Sequence, residues 1–446
     1  MKVYSFPRGG ISFEDPTAPS PAKSVTAFLP GLSVIPLAQY SGGRAHPVVS
    51  VGDYVREGML VGRGRGPGQA NIHATVPGRV VRIVSWKTPE GAADALVIRL
   101  EGAFEKLGRR EEIFPWEGLS PFELRRLIAE YGIVEMERAG RPLHDLLASV
   151  KPPSQTAQTA QDGSGPLTLV VRCVFDDPWL AADRALCRER LRAVAEGALI
   201  TARASRADRI LFALSREEAA LGEEFLAAAG PWNFPCSLAL VGSRYPQRNC
   251  RELELVLRSY EKKEGEDLGA LLFLGPATMA AVHDAVKLKK PILDRYVAVG
   301  GSAVRNPQVM KVRVGTRLRE VFAECGGFVE RPRRIALGSP LLGREVENLD
   351  EPVAKTCRAV FALREGRDRK VQPWNCTGCG ECRNVCPVGL DPEELFKRLD
   401  GTAGGDRSRD FSPRTLECHG CGCCEVVCPS SLPLSSVIFA AALRGN

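Results

Sequence analysis

Between residues 45 and 100 the apolar residues come in short alternating runs broken by glycines, HPVVSVGDYVREGMLVGRG and then ANIHATVPGRVVRIV. Alternation with a period of two, punctuated by Val-Gly-Asp and Pro-Gly-Arg, predicts small β-hairpins that turn at the glycines. At Ser120 the pattern changes. Ser120-Pro121-Phe122-Glu123 supplies a cap, a proline at the first helical position and a glutamate at the third, and Leu124, Leu127 and Ile128 then share one face. A helix is predicted to begin there. Residues 151–166, KPPSQTAQTAQDGSGP, are polar, aperiodic and rich in Pro, Gly and Ser, which predicts a mobile surface insertion.

Beyond it, continuous apolar runs alternate with amphipathic stretches: LTLVVRCV, a helix over about 183–203, RILFAL, a helix over about 216–229, CSLALVG, a helix near 251–259, ALLFLG and a helix over 276–286. Strands without a polar face, separated by helices, predict a parallel sheet covered on both sides, with a ligand crevice at the carboxyl ends of its strands. From about 290 to 363, short strands with glycine turns (YVAVGGSAV, MKVRVG) surround a brief helix at 317–325, which reads as a small β-grasp-like module. Asp391-Pro392-Glu393-Glu394 should open a short helix. The terminal run IFAAALRG reads as core rather than as a docking face. The chain thus divides into a β module at 1–101, a Rossmann-like α/β domain at 102–288 that carries the insertion at 151–166, the β-grasp-like module at 289–365, and a tail at 366–446.

Composition narrows the class. A length of 446 residues with 44% hydrophobic content supports several packed cores. No apolar stretch approaches the ~20 residues of a membrane-crossing helix. The opening residues, MKVYSFPRGG, contain no apolar signal core, so a reducing cytoplasm is the expected setting. The formal charge of +7 is not gathered into a Lys/Arg stripe interleaved with aromatics, so no nucleic-acid partner is expected. Five histidines, His46, His73, His144, His283 and His419, are dispersed, and no acid–base pair, activated nucleophile or P-loop is evident.

The chemistry lies in the cysteines. Eight of the fifteen form two copies of one spacing, Cys376-x2-Cys379-x2-Cys382-x3-Cys386-Pro387 and Cys418-x2-Cys421-x2-Cys424-x3-Cys428-Pro429. Each tight run offers three thiolates to one corner of an iron-sulfur cube, and its fourth cysteine reaches the cube on the other run. The predicted assignment is crossed: Cys376, Cys379, Cys382 and Cys428 hold one 4Fe-4S cluster, and Cys418, Cys421, Cys424 and Cys386 hold the other. Zinc ribbons use paired C-x2-C and have no role for a third equally spaced cysteine or a trailing Cys-Pro. Disulfides are disfavoured by the tight spacing. With two clusters loaded, at roughly −2 each, the net charge falls to about +3. Cys423 is the spare within the second run, and Cys173, Cys187, Cys236, Cys250, Cys325 and Cys357 read as buried reduced thiols. His419, inside the second run, is placed to tune a cluster by hydrogen bonding to a sulfur or else lies at the surface.

Several blocks carry a family resemblance: Gly9-Gly10-Ile11, HPVVSVGDYVREG, IHATVPGRV, DPWLAADR, Tyr245-Pro246, VAVGGSAVRNP, VRVGT, LGSPLLG, Pro352-Val353 and Lys355-Thr356. With the module order, they resemble the C subunit of the Rnf ion-translocating oxidoreductase, with cobalamin reductases and the flavin subunit of complex I as cousins. The resemblance implies a barrel-sandwich hybrid first module, an SLBB-like β-grasp third module and a two-cluster ferredoxin-like tail. It also implies a peripheral subunit on the cytoplasmic side of the inner membrane, partnered by membrane subunits and a soluble electron carrier. In that family hydride from NADH reaches an FMN and electrons pass on to the clusters. The first module also resembles biotinyl and lipoyl carriers, but no lysine occurs between Val51 and Trp86, so no swinging arm is expected.

The departures fall at the flavin. The family's glycine-rich loop, G-L-G-G-A-G-F-P-T, aligns with Glu135-Met136-Glu137-Arg138-Ala139-Gly140-Arg141-Pro142-Leu143, so three glycines have become Glu, Glu and Arg. Only glycine lets backbone N–H groups come close to a flavin phosphate. The family's N-G-A-E-C-E-P-Y aligns with Arg172-Cys173-Val174-Phe175-Asp176-Asp177-Pro178-Trp179, in which the Asn and first Glu are lost. The expectation is a domain that keeps its fold without FMN, with Gly140, Asp177 and Asp183 as the residues a rearranged pocket would use. The alternatives are a flavin-dependent NADH dehydrogenase subunit with such a pocket, or a stand-alone soluble protein of the cobalamin-reductase kind.

Overall fold

The computed structural model describes residues 2–88, 91–102, 114–137, 140–150, 165–364, 375–399 and 413–445. The first module is a barrel-sandwich hybrid. A four-stranded antiparallel sheet, in the order Leu32–Pro36, Gly91–Leu100, Gly78–Thr88, Tyr54–Val55, faces a three-stranded sheet of His46–Pro47, Leu60–Arg63 and Ile72–His73. Inward residues Ile35, Val55, Val61, Ile72, Val80, Leu96 and Ile98 are buried between them. The predicted Pro-Gly-Arg turn sits at Gly78, whose φ is +152°; a Cβ there would lie 1.9 Å from the Arg99 carbonyl oxygen.

Helix α1 (Pro121–Glu130) starts on the predicted capping box, with the Glu123 N–H donating to Ser120 Oγ and the Ser120 N–H to Glu123 Oε2 at 2.8 Å. Helix α2 (Leu143–Ser149) follows. The predicted insertion at 151–166 lies outside the described residues except for its last two. The parallel sheet then runs in the order Cys236–Val241, Arg209–Ser215, Leu167–Cys173, Ala270–Leu274. Leu169, Val171, Phe212 and Leu214 point to one face, and Val170, Leu211 and Ala213 to the other. This alternation buries both faces, so the strands have no polar residues to spare for solvent.

One predicted helix over 183–203 is two. Helices α3 (Ala181–Glu189) and α4 (Leu191–Ser205) break at Arg190, whose guanidinium makes two bonds to Asp284, at 2.9 and 2.6 Å. The break lets α3 pack on the third module while α4 packs on α7. Helices α5 (Ala219–Ala229), α6 (Cys250–Glu264) and α7 (Pro276–Lys287) complete the layers.

The third module is a six-stranded sheet with α8 (Leu318–Glu324). Its outermost strand, Ser24–Thr26, comes from the N-terminal segment and pairs in parallel with Gln308–Arg313. Further back in that segment, Tyr4 bridges Val241 at the edge of the parallel sheet. The tail holds α9 (Glu381–Asn384), α10 (Pro392–Leu399), α11 (Cys423–Val426) and α12 (Leu434–Gly445). Ile438, Ala441 and Ala442 of α12 are buried, as the core reading of that run expects. Among the described residues no helix is long and apolar enough to cross a membrane.

Lys355 ties the first three modules together. Its Nζ donates to the carbonyls of Asn71 and Gly132, each at 2.8 Å, and its N–H donates to Gln39 Oε1. Burial pushes the amine down to about 7 from its usual 10.5. The folded state therefore favours the neutral amine, and stability rises as pH climbs from about 7 towards the unfolded value. The stability of the wild type relative to Lys355→Met should grow by up to about 2 kcal/mol between pH 7 and pH 9, read from paired thermal melts. A pH-independent difference would count against this.

Candidate functional site

The two cysteine runs build the same backbone twice. In the first, Gly378 and Gly380, at φ of +69° and +76°, curl the chain around Cys379. One helical turn, α9, then carries it through Cys382 to Cys386-Pro387. In the second, Gly420 and Gly422, at +66° and +81°, flank Cys421, and α11 leads to Cys428-Pro429. After each proline the chain turns through a left-handed residue, Gly389 at +70° and Ser431 at +53°. Positive φ at these steps is what brings consecutive cysteines to one side.

This geometry gathers the cysteines into two cavities. Cys376, Cys379, Cys382 and Cys428 line one, and Cys386, Cys418, Cys421 and Cys424 line the other. Each cavity therefore takes three cysteines from one run and the trailing cysteine of the other. The remaining lining of the first mixes Leu432 and Leu434 with Thr377, Glu393 and Ser430, and that of the second is mostly apolar, with Val388, Leu390 and Ile438 beside His419 and Ser435. Backbone donors point at sulfur: the Gly378 N–H at Cys376 Sγ (3.4 Å) and the Leu390 N–H at Cys386 Sγ (3.2 Å). Burial pushes the thiols of Cys382, Cys386, Cys418 and Cys424 up, Cys418 to about 11. A cationic centre must displace those protons to be held. The four-sulfur donor set of each cavity fits a 4Fe-4S cluster. The spare, Cys423, is fully buried and lines the second cavity as well.

The two cavities differ in setting. The second is braced against the α/β domain: His419 Nδ1 meets Glu252 Oε1 of α6 at 2.7 Å, Arg251 approaches His419 Nε2 at 2.9 Å, and Tyr245 Oη donates to the Cys421 carbonyl at 2.7 Å. The Gly10 N–H donates to the Val385 carbonyl, and a Cβ on Gly9 would lie 2.6 Å from the Cys386 backbone. Both nitrogens of His419 are thus engaged away from sulfur, so the role expected for it is corrected to that of a brace. The first cavity faces outward, with Cys379 exposed and Cys376 half-buried.

Of the three residues expected of a rearranged flavin pocket, Asp177 and Asp183 both feel the charges of Arg248 and Arg358. Gly140 packs where the modules meet, with Thr356 Cγ2 and Tyr40 closest to where a Cβ would be. Asp177 caps the turn Pro178–Leu180 through the Trp179 N–H and lines a crevice of about 1180 Å³ at the carboxyl ends of the parallel strands. That crevice is acidic, with Asp15, Asp176, Glu217 and Glu218 around Arg184. Burial, with Asp177 alongside, pushes Asp176 up to about 7 against the pull of Arg248. Asp183 is buried under Arg358 and Arg248; burial alone would raise it, but these guanidiniums and Arg295 hold its carboxyl below the usual range. In the stretch aligned with the glycine-rich loop, Glu135 is buried 3.8 Å from Arg172, and Glu137 accepts from Thr278; Arg138 lies outside the described residues.

Comparison with known proteins agrees module by module. The chain matches the RnfC barrel sandwich hybrid domain over residues 5–103, the Nuo51 FMN-binding domain over 128–267, the SLBB domain over 296–347 and the 4Fe-4S dicluster domain over 368–429. It is 31% identical over 399 residues, 88% of this chain and 74% of the relative, to the C subunit of the ion-translocating oxidoreductase complex of Rhodobacter capsulatus. The chain belongs to the RnfC family. It is also 30% identical to the C subunit of the proton-translocating ferredoxin:NAD(+) oxidoreductase complex of Clostridium ljungdahlii, covering 87% of this chain and 83% of that one. The Na(+)-translocating counterpart of Acetobacterium woodii is 24% identical, over 81% and 80%.

Within this RnfC-family chain, Glu252, Arg251, Arg248, Arg295 and Arg358 could not be found from spacing, because each meets its partner far along the chain. His419, an isolated histidine inside a cysteine run, stood out in the sequence, but nothing there indicated Glu252 as its partner. Replacing His419 by Ala strands the buried Glu252 carboxylate, at a cost of about 3 kcal/mol. Amide exchange across residues 415–421 should then quicken by roughly 100-fold, while His419→Gln, which still donates, should change it by less than tenfold. Equal effects from the two variants would remove the brace.

Proposed function

We propose that this chain is a peripheral electron-transfer subunit of an Rnf-type ion-translocating complex, holding two 4Fe-4S clusters and working without FMN. Its partners are the membrane subunits of that complex and a soluble electron carrier, at the cytoplasmic side of the inner membrane. Cys376, Cys379, Cys382 and Cys428 would hold one cluster, and Cys386, Cys418, Cys421 and Cys424 the other. The observation that carries this is the sorting of the eight cysteines into two cavities, each lined by the crossed set of four. Bound clusters supply one-electron couples.

The protein's own residues fix where such couples sit and what reaches them. Leu432 and Leu434 help wall one cavity and Val388, Leu390 and Ile438 the other, and N–H groups aimed at Cys376 and Cys386 favour negative charge on sulfur. The braced cavity faces the α/β domain through Tyr245 and His419, and the exposed run around Cys379 is the side open to a partner. The absence of FMN is supported by the carboxylates of Glu135 and Glu137 standing in the glycine-loop segment. The match to an FMN-binding domain over 128–267 favours the competing reading, a flavin subunit reduced by NADH.

Anaerobic purification should yield about eight irons and eight sulfides per chain with no flavin. Stoichiometric flavin, reducible by NADH, would install the competing reading. The crossing has its own test: Cys379→Ser and Cys428→Ser should leave the same residual electron paramagnetic resonance spectrum, and Cys386→Ser and Cys418→Ser should share the other. If Cys428→Ser resembled Cys418→Ser instead, each run would be holding its own cluster.

A further inference from the structure

The described ends of the segment that replaces the glycine-rich loop pair with each other. The Glu135 N–H donates to the Arg141 carbonyl at 2.8 Å and the Leu143 N–H to the Ile133 carbonyl at 2.9 Å. This places Glu137 at the N-terminus of α7, a helix of 12 residues whose cap position, Gly275, provides no side chain to receive the helix's free N–H groups. Glu137 provides it instead. Its Oε1 accepts the Thr278 N–H at 3.0 Å and its Oε2 accepts the Thr278 hydroxyl at 2.6 Å, while Thr278 Oγ1 accepts the Met136 N–H at 3.0 Å. The bare Gly275 makes the room: a Cβ there would stand 2.3 Å from the Glu137 carboxyl carbon.

The surroundings suit an oxyanion better than an ordinary cap requires. Arg358 donates to the Glu137 carbonyl at 3.2 Å, and the Glu137 charge helps keep the buried guanidiniums of Arg358 and Arg295 protonated against the cost of burial. A helix N-terminus, a hydroxyl donor, nearby guanidiniums and a glycine cradle together form the usual recipe for holding a phosphate. Here the chain's own carboxylate fills it.

We propose that Glu137 is an internal substitute for a phosphate: the N-terminus of α7 is an oxyanion site that the chain occupies itself, closing the domain to phosphate monoesters such as FMN. This rests on the flavin-free reading above and gives it a single responsible side chain.

The test uses the full-length, cluster-loaded protein. Glu137→Ala opens the cradle and leaves the Thr278 donors without their acceptor. Its melting temperature should fall and then recover in millimolar inorganic phosphate but not in chloride of matched ionic strength, with no phosphate-specific shift in the wild type. Equilibrium dialysis should show Glu137→Ala binding phosphate, and FMN at least tenfold more tightly than riboflavin, which lacks the phosphate. Absence of any phosphate-specific response in folded Glu137→Ala overturns the proposal. Glu137→Gln keeps the shape and removes the charge, so it guards against an Ala variant that fails to fold: it should melt several degrees below the wild type, and equal stability overturns the proposal too. FMN bound by the wild type would sink the flavin-free reading itself, whereas a flavin-free wild type with an unresponsive Glu137→Ala would sink only the inference about Glu137.

Discussion

Neither cysteine run places all four cysteines of its repeated spacing around one cavity. Each supplies three of them, and the fourth comes from the residue before the proline that ends the other run. This exchange is the constraint on which the tail depends, because the runs must lie face to face, with like backbones, before either ring of sulfurs is complete. The left-handed residues at equivalent steps, the single helical turns α9 and α11, and the buried pair Leu390 and Leu432 after each Cys-Pro all serve that mutual fit. The helices that follow, α10 and α12, pack on each other and close the unit.

A tail built this way still has to be oriented. Its second run is fastened to α6 by a histidine–carboxylate pair and to the turn at Tyr245 by a hydroxyl, while its first is seated on Gly9 and Gly10 at Val385–Cys386 and exposed at Cys379. Deeper in the molecule, Asp176 and Asp183 share Arg248, and Asp183 also receives Arg358. Buried charges of this kind stabilise little in sum, because desolvation offsets most of their attraction. What they supply is specificity: a module that docks wrongly leaves a charge alone in a low-dielectric interior. The third module contributes Arg295 and Arg358 to a set whose acids belong to the α/β domain, so the relative placement of the two is fixed by charge balance as much as by packing.

What the sequence made legible was local. The cysteine spacing, the Ser120 capping box, the strand–helix alternation and the helix after Asp391 are patterns within a few residues, and apart from the helix over 183–203, which is two, the expected helices and strands are found there. What it concealed was long-range. Arg190 breaks a continuous helical pattern because Asp284 holds its guanidinium from another helix. Glu137 and Thr278 are 141 positions apart, and His419 and Glu252 are 167. The strand Ser24–Thr26 is too short to stand out by alternation, and only the edge of a distant sheet makes it a strand. The lost glycines could be read as a change, but the sequence could not say where the new carboxylates would point.

The N-terminal segment gives the assembly a sequence in time. Tyr4 lies on the edge of the parallel sheet, Gly9 and Gly10 lie against the backbone of Val385 and Cys386, and Ser24–Thr26 borders the third module. A ribosome delivers these residues long before the surfaces that receive them. Each contact can therefore form only once its receiving surface is made: Tyr4 with the parallel sheet, Ser24–Thr26 with Gln308–Arg313, and Gly9 and Gly10 last, with the cysteine-bearing tail.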